Sequence, residues 1–206
     1  MKKLFLNLII LVFFLFIFLL IILATTGVET NKFNNFISKK VFQIKRINLE
    51  LNTIKFKIDP KELSLFLETQ NPKINYKENL IPAKNIKVYI DFLSLIKSNI
   101  KIKKTNISLE EIDITKLKKL SSTIKPSNFK SLLNNNVKEG KIIAEIEIYL
   151  NDKGNFKNFI VKGKIKKLRV ELLEDFNLKN TSLNFFADQN DILIKNIFGN
   201  LNDIKI

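Results

Sequence analysis

The 206-residue sequence contains no cysteine, no histidine and no tryptophan, and it has only five glycines and four prolines. The first two absences exclude a thiolate nucleophile, an imidazole general base, disulfide bonds and zinc sites of the usual nitrogen and sulfur kind. The widely spaced glycines also leave no glycine-rich phosphate-binding loop. Because the usual catalytic groups are missing, we predict a protein that is not an enzyme and that uses no cofactor and no metal.

Positive charge dominates the charged residues that are present. Lys and Arg number 35 against 20 Asp and Glu, which gives a formal charge of +15, and only Arg46 and Arg169 are arginines. Nucleic-acid-binding proteins favour the bidentate guanidinium group of arginine, whereas Lys, Asn, Ile and Phe share AT-rich codons. We interpret the charge as a compositional bias and expect no nucleic-acid partner. The alternative is a basic domain that binds an anionic lipid surface or nucleic acid through charge alone.

The N-terminus carries a long hydrophobic run. From Leu4 to Ala24 the only polar residue is Asn7, and two lysines precede the run. These 21 residues extend about 31 Å as a helix, which matches a bilayer core of about 30 Å. A cleaved signal peptide has a shorter apolar region that ends in a small-residue motif. We therefore predict an uncleaved transmembrane signal anchor with a cytoplasmic tip over residues 1–27. Representative residues of this anchor are Leu4, Phe14, Ile22 and Ala24.

The orientation of the anchor follows from the length of what comes after it. Lysines flank the run on both sides, so charge counting over short loops is ambiguous. Long domains, however, cross the membrane largely regardless of their charge. We expect a single-pass protein with a cytoplasmic N-terminus and with the rest of the chain outside the cytoplasm.

Residues 28–46 contain a short amphipathic pattern. Phe33, Phe36 and Ile37 recur at helical spacing, with lysines on the other side. We predict a juxtamembrane helix and linker that lies at the membrane surface or caps the sheet that follows.

From Ile47 onward apolar and polar residues alternate in short runs, which predicts an antiparallel meander. The apolar residues of two clear runs are Ile86, Val88, Ile90 and Phe92, and then Ile142, Ala144, Ile146, Ile148 and Leu150. The alternation changes phase at Lys166 and Lys167, which indicates a bulge. Gly154 provides a left-handed position in a hairpin loop.

Helical spacing returns only in the middle of the chain, at Leu117, Leu120 and Ile124 and again between Pro126 and Leu133. The predicted fold class is therefore mainly β: an N-terminal transmembrane helix is followed by a curved antiparallel sheet, with one or two short helices inserted near the middle. The sheet domain covers residues 47–206. Alternation still continues at Ile206, so we expect this domain to be truncated at its C-terminus.

The apolar face of such a sheet has two interpretations. It forms a closed core, in a β-sandwich or beneath the helices, or it lines an open groove that holds acyl chains. The groove would gain roughly 0.8 kcal/mol for each buried methylene group, and the nine apolar residues of the two clear runs would line it. Glu145 and Glu147 fall on the opposite face, where lysines of neighbouring strands would neutralise them.

The order of these segments resembles the start of AsmA-like envelope proteins. The resemblance rests on the Lys-flanked anchor and on the runs INLEL at 47–51, IKFKIDP at 54–60 and IKVYIDFLSL at 86–95. The stretch 156–206 is similar to the repeated strands of TamB- and YhdP-like proteins in the same group. Most such proteins are several times longer than this chain.

The resemblance implies an inner-membrane anchor and a periplasmic β-groove that moves phospholipid toward the outer membrane or maintains that membrane. It implies membrane lipids, and other envelope proteins, as partners, and the family has no catalytic residues to carry over. A second hypothesis is a membrane-tethered β-sandwich that scaffolds other envelope proteins, as an LptC-like component does, without a lipid conduit of its own.

Overall fold

The chain forms an N-terminal apolar helix followed by a large open antiparallel sheet with a few short helices. Strands account for 58% of the structure, so the mainly β fold class expected from the alternation is confirmed. The computed structural model describes residues 2–31, 34–45, 47–60, 64–91, 101–122, 128–173, 176–202 and 204–205.

Two of the described helices lie near the N-terminus and two in the middle of the chain. Those described are α1 (Lys2–Ala24), α2 (Asn34–Lys45), α3 (Ile114–Ser122) and α4 (Asn128–Asn135). The two helices expected near the middle are thus present as α3 and α4, although Ile124 and Pro126 lie outside the described residues.

The strands follow the alternating runs of the sequence. They are β1 (Val28–Thr30), β2 (Ile47–Glu50), β3 (Ile54–Asp59), β4 (Ser64–Gln70), β5 (Lys73–Tyr76), β6 (Asn79–Ile90), β7 (Ile102–Leu109), β8 (Ile112–Asp113), β9 (Val137–Leu150), β10 (Phe156–Leu173), β11 (Phe176–Ala187), β12 (Ile192–Leu201) and β13 (Ile204–Lys205). Strand β1 occupies part of the segment expected to be a linker, because three residues are too few to display an alternating pattern.

The strands are joined edge to edge in the order β1-β3-β4-β6-β7-β9-β10-β11-β12-β13. Strand β2 pairs with β5, β5 also pairs with β6, and β8 pairs with β9. All described pairings are antiparallel, and the two ends of the sheet do not join. The described strands therefore form one open sheet and not the two facing sheets of a sandwich. Near its last strands the sheet exposes apolar side chains on β12, such as Ile192 at 64% exposure.

Two local irregularities match the predictions from the sequence. The pairing of β10 with β11 shifts register between Ile165 and Leu168, and Lys167 has a left-handed φ of 50°. This is the bulge indicated by the phase change at Lys166 and Lys167. In the loop between β9 and β10, Gly154 has a φ of 76°, as the hairpin prediction required.

The register aligns apolar side chains of neighbouring strands in transverse rows. In one row Ile86 opposes Ile107, which opposes Ile146, which in turn opposes Val161. A second row, two residues further along, joins Val88, Thr105, Ile148 and Phe159 through the same strands. Because residues directly opposite each other share a face of the sheet, these rows form one apolar face.

The short helices cover one end of this apolar face. Ile37 of α2 packs against a buried cluster of Leu49, Ile74 and Ala83, and Ile86 and Ile107 border the same cluster. A second cluster joins α3 and α4 to the other half of the sheet, and its buried members are Ile114, Leu133, Val137, Leu168, Val170 and Leu183. The described helices thus pack over the apolar face at the end where β9 begins. At the other end Ile90, the last residue of β6, is also buried, at 6% exposure.

Helix α1 meets the sheet at its opposite end. Gly27 follows α1 with a φ of 76°, and a Cβ atom there would lie 2.7 Å from Lys57 Cγ and 2.8 Å from the carbonyl oxygen of Phe56. Phe56 opposes Leu67 of β4, and Leu67 opposes Val88, so Phe56 extends the row that contains Val88 and Ile148. We call this side, where β3, β6 and β9 end and β10 begins, the α1 end of the sheet.

Close packing between β9, β10 and β11 requires a residue without a side chain at Gly163. A Cβ atom there would lie 2.5 Å from Cε1 and Cζ of Phe185 and 2.6 Å from the carbonyl oxygen of Ile143. We expect Gly163→Ala to lower the free energy of unfolding by about 1–3 kcal/mol because the ring and the backbone must shift. Denaturant unfolding of the full chain in detergent, followed by circular dichroism, measures this change.

The neighbouring substitution Lys164→Ala serves as the control, since Lys164 is exposed. It should change the free energy of unfolding by less than about 0.5 kcal/mol. A Gly163→Ala protein as stable as the unaltered chain would contradict the packing described here.

Candidate functional site

The candidate site is the part of the apolar face that the helices leave half-exposed. It is built from two transverse rows and the end of β9, and we call it the apolar patch. Its residues are Ile86, Val88, Thr105, Ile107, Ile146, Ile148, Leu150, Phe159 and Val161. With β6, β7, β9 and β10 spaced about 4.8 Å apart, it spans about 14 Å across the strands and about 14 Å along them.

The structure places the predicted groove residues in three different settings. Ile86, Val88, Ile146, Ile148 and Leu150 belong to the apolar patch, and Ile142 is half-buried near the second helix cluster. Ile90 and Ala144 share the apolar face but are buried, at 6% and 4% exposure. Phe92 lies outside the described residues. The apolar face thus contains most of the predicted groove, but only part of it is accessible.

Four residues of the apolar patch were not predicted as groove residues from the sequence. Thr105 and Ile107 on β7, and Phe159 and Val161 on β10, oppose the predicted residues of β9 directly. Alternation within each run predicts that Thr105 shares a face with Ile107 and that Phe159 shares a face with Val161. Which residues they oppose depends on the register between strands, and a single sequence carries no direct signal for that register.

The opposite face of the sheet is charged and internally paired. Glu68 is 8% exposed and accepts contacts from Lys57 at 3.0 Å and Lys87 at 3.8 Å. At the sheet edge Lys55 pairs with Glu29 at 2.7 Å. A nearly buried carboxylate needs such partners, because an unpaired buried charge is strongly destabilising. This face therefore carries paired charges, in contrast to the apolar patch, and it also buries the neighbouring rings of Phe66 and Tyr89.

Glu145 and Glu147 lie on this polar face, as the alternation predicted. Lys162 of β10 directly opposes Glu145 and approaches Glu147 Oε1 at 3.3 Å. The hydroxyl group of Tyr149 donates a hydrogen bond of 2.6 Å to Glu147 Oε2. This hydrogen bond, and then that from Lys162, lowers the pKa of the Glu147 carboxyl. The two glutamates belong to a paired surface and do not face each other across a pocket.

A cavity of about 310 Å³ lies on the same side of the sheet, near the loops that follow β2 and β4. Its lining residues are Glu29, Asn52, Thr53, Lys55, Glu68, Gln70 and Asn71. Both carboxylates in the lining already pair with lysines. The cavity therefore offers no uncompensated charge to a ligand.

Helix α1 is long and apolar enough to cross a membrane. It is exposed around most of its circumference, with Leu4 at 77% and Phe14 at 65% exposure, while Ile22 is half-buried and Ala24 is exposed. A helix that is hydrophobic on all sides and does not pack into a protein core has the character of a membrane span.

The chain matches no protein-family model, and no curated protein sequence and no solved structure is significantly similar to it. The resemblance to AsmA-like envelope proteins therefore stays a prediction.

The lowered pKa of Glu147 predicts a pH-dependent contribution to stability. A carboxyl with a lowered folded-state pKa stabilises the fold above its unfolded-state pKa of about 4.3, and this stability is lost as the pH falls through the folded-state pKa. We expect Tyr149→Phe to lower the free energy of unfolding by about 1 kcal/mol at pH 7. The difference from the unaltered chain should shrink between about pH 5 and pH 3. Denaturant unfolding over this pH range measures the effect.

The same substitution in a Glu147→Gln background is the control. Without the carboxyl, the effect of Tyr149→Phe should not depend on pH. An equal pH dependence in both backgrounds would show that Tyr149 acts through another group.

Proposed function

We propose that this protein is a membrane-anchored lipid-binding protein that holds phospholipid acyl chains on the apolar patch. In this proposal α1 is a single-pass anchor in the inner membrane, with the N-terminus in the cytoplasm and the sheet in the periplasm. The protein would act in outer-membrane biogenesis or maintenance, as its resemblance to AsmA-like proteins implies.

The observation that carries the proposal is the continuity between the apolar patch and the base of α1. The row of Val88 and Ile148 continues through Leu67 to Phe56. Gly27, which directly follows α1, packs against the backbone of Phe56. In the part of the chain that the structure describes, α2, α3 and α4 pack over the apolar face at the other end. Towards α1, Val88 and Ile148 are half-exposed and Ile90 is buried. Apolar side chains thus extend from the half-exposed surface to the point where a membrane would begin.

The dimensions of the apolar patch support an acyl chain as its ligand. One leaflet contributes about half of a hydrocarbon core of about 30 Å, which is close to the patch length of about 14 Å along the strands. Each methylene group transferred from water would contribute roughly 0.8 kcal/mol. Isoleucine and valine dominate the surface, and the only hydroxyl group among its residues is that of Thr105.

A second candidate function is the envelope scaffold. It is favoured by β12, whose exposed apolar side chains lie near one edge of the sheet. An exposed strand edge can accept a strand from another protein. In this alternative the tethered sheet binds protein partners and conducts no lipid.

Acyl-chain binding predicts that a charge in the apolar patch will block lipid contact. We expect Ile148→Asp to reduce crosslinking between β9 or β10 and a phospholipid with a photoactivatable acyl chain by at least about tenfold, a loss equivalent to about 1.4 kcal/mol. The full chain is reconstituted in vesicles, and crosslinked peptides are mapped by mass spectrometry so that contacts with α1 are counted separately.

Ile143→Asp is the matched control, because Ile143 lies on the same strand but on the polar face and is 37% exposed. It should retain crosslinking. Ile148→Thr, which keeps a β-branched side chain, provides a milder variant if the aspartate prevents folding. Undiminished crosslinking in folded variants at Ile148 would overturn the proposal.

The proposed topology predicts where introduced thiols are accessible. The natural sequence has no cysteine, so Lys3→Cys and Asn190→Cys each introduce a single reactive group. In spheroplasts with an intact inner membrane, a membrane-impermeant maleimide should label the cysteine at position 190 and leave the one at position 3 unlabelled until lysis. The reverse pattern would contradict the orientation.

A further inference from the structure

We propose that α1 and the sheet form one rigid unit, in which residues 25–27 act as a fixed joint that holds β1 and β3 at the membrane surface. The inference goes beyond acyl-chain binding and rests on one part of the proposed function, the placement of α1 in the membrane. In this arrangement the anchor sets the position and direction of the sheet. A flexible tether, by contrast, would let the sheet reorient freely.

The connection between α1 and the sheet is short. Helix α1 ends at Ala24, and β1 begins at Val28, directly opposite Phe56 of β3. The four residue steps from Ala24 to Val28 extend at most about 14 Å. The first paired residue of the sheet therefore lies within that distance of the point where the hydrophobic run ends.

Hydrogen bonds fix the conformation of this short connection. The backbone N–H and the hydroxyl group of Thr25 both donate to the carbonyl oxygen of Ile21, at 3.0 and 2.7 Å. The N–H of Gly27 and the hydroxyl group of Thr26 both donate to the carbonyl oxygen of Ile22, at 2.8 and 3.3 Å. Gly27 has the left-handed φ with which glycine commonly ends a helix. The joint thus satisfies carbonyl groups at the end of α1 that would otherwise lack partners.

Gly27 packs directly on β3. A Cβ atom at this position would lie 2.7 Å from Lys57 Cγ and 2.8 Å from the carbonyl oxygen of Phe56. Neither atom can move easily. Phe56 is paired on both sides, with β1 and with β4, and the ammonium group of Lys57 contacts the nearly buried Glu68 at 3.0 Å. The end of the helix is therefore seated on a fixed part of the sheet.

Contacts on both sides of the joint support it. Ile22 and Leu23 in the last turn of α1 are half-buried, whereas most of the helix is exposed, and α1 contacts β3. Beyond the joint, β1 pairs with β3 through all three of its residues, and Glu29 contacts Lys55 at 2.7 Å. An exposed ion pair contributes little by itself. The helix end, the glycine and the backbone pairing together attach α1 to β3.

The test measures how much the distance between α1 and the sheet varies. The chain has no cysteine, so Leu11→Cys in α1 and Lys164→Cys in β10, both at exposed positions, attach two spin labels to the full chain. Double electron–electron resonance in phospholipid vesicles should give one narrow distance distribution. Eight glycine and serine residues inserted after Gly27 form a flexible segment with an r.m.s. length of about 15 Å, and they should broaden the distribution to a similar extent.

Two glycine substitutions test the joint itself. Gly27→Ala should broaden the distribution, because alanine disfavours a left-handed φ and its Cβ atom would meet Lys57 and the backbone of Phe56. Gly154→Ala is the matched control. Gly154 has the same φ of 76°, but nothing lies within 4 Å of a Cβ atom placed there. The control therefore introduces a similar backbone strain outside the joint, and it should leave the distribution unchanged.

The outcomes separate this inference from the proposed function. A broad distribution in the unaltered chain, or one that stays narrow with the inserted segment or with Gly27→Ala, would overturn the rigid joint. If Gly27→Ala does not fold, the inserted segment still decides. A narrow distribution without lipid crosslinking to β9 or β10 would support the joint and overturn acyl-chain binding. A broad distribution with such crosslinking would do the reverse.

Discussion

Direct opposition of side chains across antiparallel strands is the constraint on which the rest of this structure depends. One row crosses four strands: Ile86 opposes Ile107, Ile107 opposes Ile146, and Ile146 opposes Val161. A slip of one residue in any pairing would turn an entire strand over and place lysines and glutamates among the isoleucines. The same register that builds the apolar face therefore also builds the paired, charged face behind it.

The charged face explains how a strongly basic chain tolerates so many lysines in strands. Glu68 is shared by Lys57 and Lys87, and Glu147 is held by Tyr149 and Lys162. Glu68 is nearly buried, so the loss of its partners would be destabilising, whereas the more exposed pair of Glu147 and Lys162 contributes little on its own. Opposite charges also oppose each other directly, as Glu68 opposes Lys87 and Glu145 opposes Lys162. Where the like charges of Lys141 and Lys166 meet, both pair with Glu111. The two faces thus reinforce one register, since a slipped pairing would disturb both of them.

Because the helices pack over one end of the apolar face, only part of that face stays half-exposed. Clusters around Ile37, Ile114 and Leu133 bury one end of the face, whereas Val88, Ile148 and Phe159 stay half-exposed nearer to α1. The proposed function follows from this asymmetry. Half-exposed apolar side chains on the side of α1 suit the proposed acyl-chain ligand, although Ile90 on that side is buried.

Much of the fold was predictable because its signals are local. The length and purity of the run from Leu4 to Ala24, the phase change at Lys167 and the glycine of the hairpin loop each depend on a few consecutive residues. The hairpin of β5 and β6 was missed for an equally local reason. Its turn has left-handed φ angles at Lys77 and Glu78, two residue types that rarely adopt them, in place of the Asn-Gly or Asp-Gly pair that marks such turns.

The sequence by itself determined which residues of each strand share a face, because side chains alternate strictly along an extended backbone. It also determined the apolar helix, since a hydrophobic run of this length is typical of a membrane span. Only the tertiary structure decided which part of the apolar face is accessible. Ile90 and Ala144 follow the same alternation as Val88 and Ile146, yet the first two are buried. Burial depends on what packs over each residue in the folded chain, and alternation within one strand carries no information about such contacts.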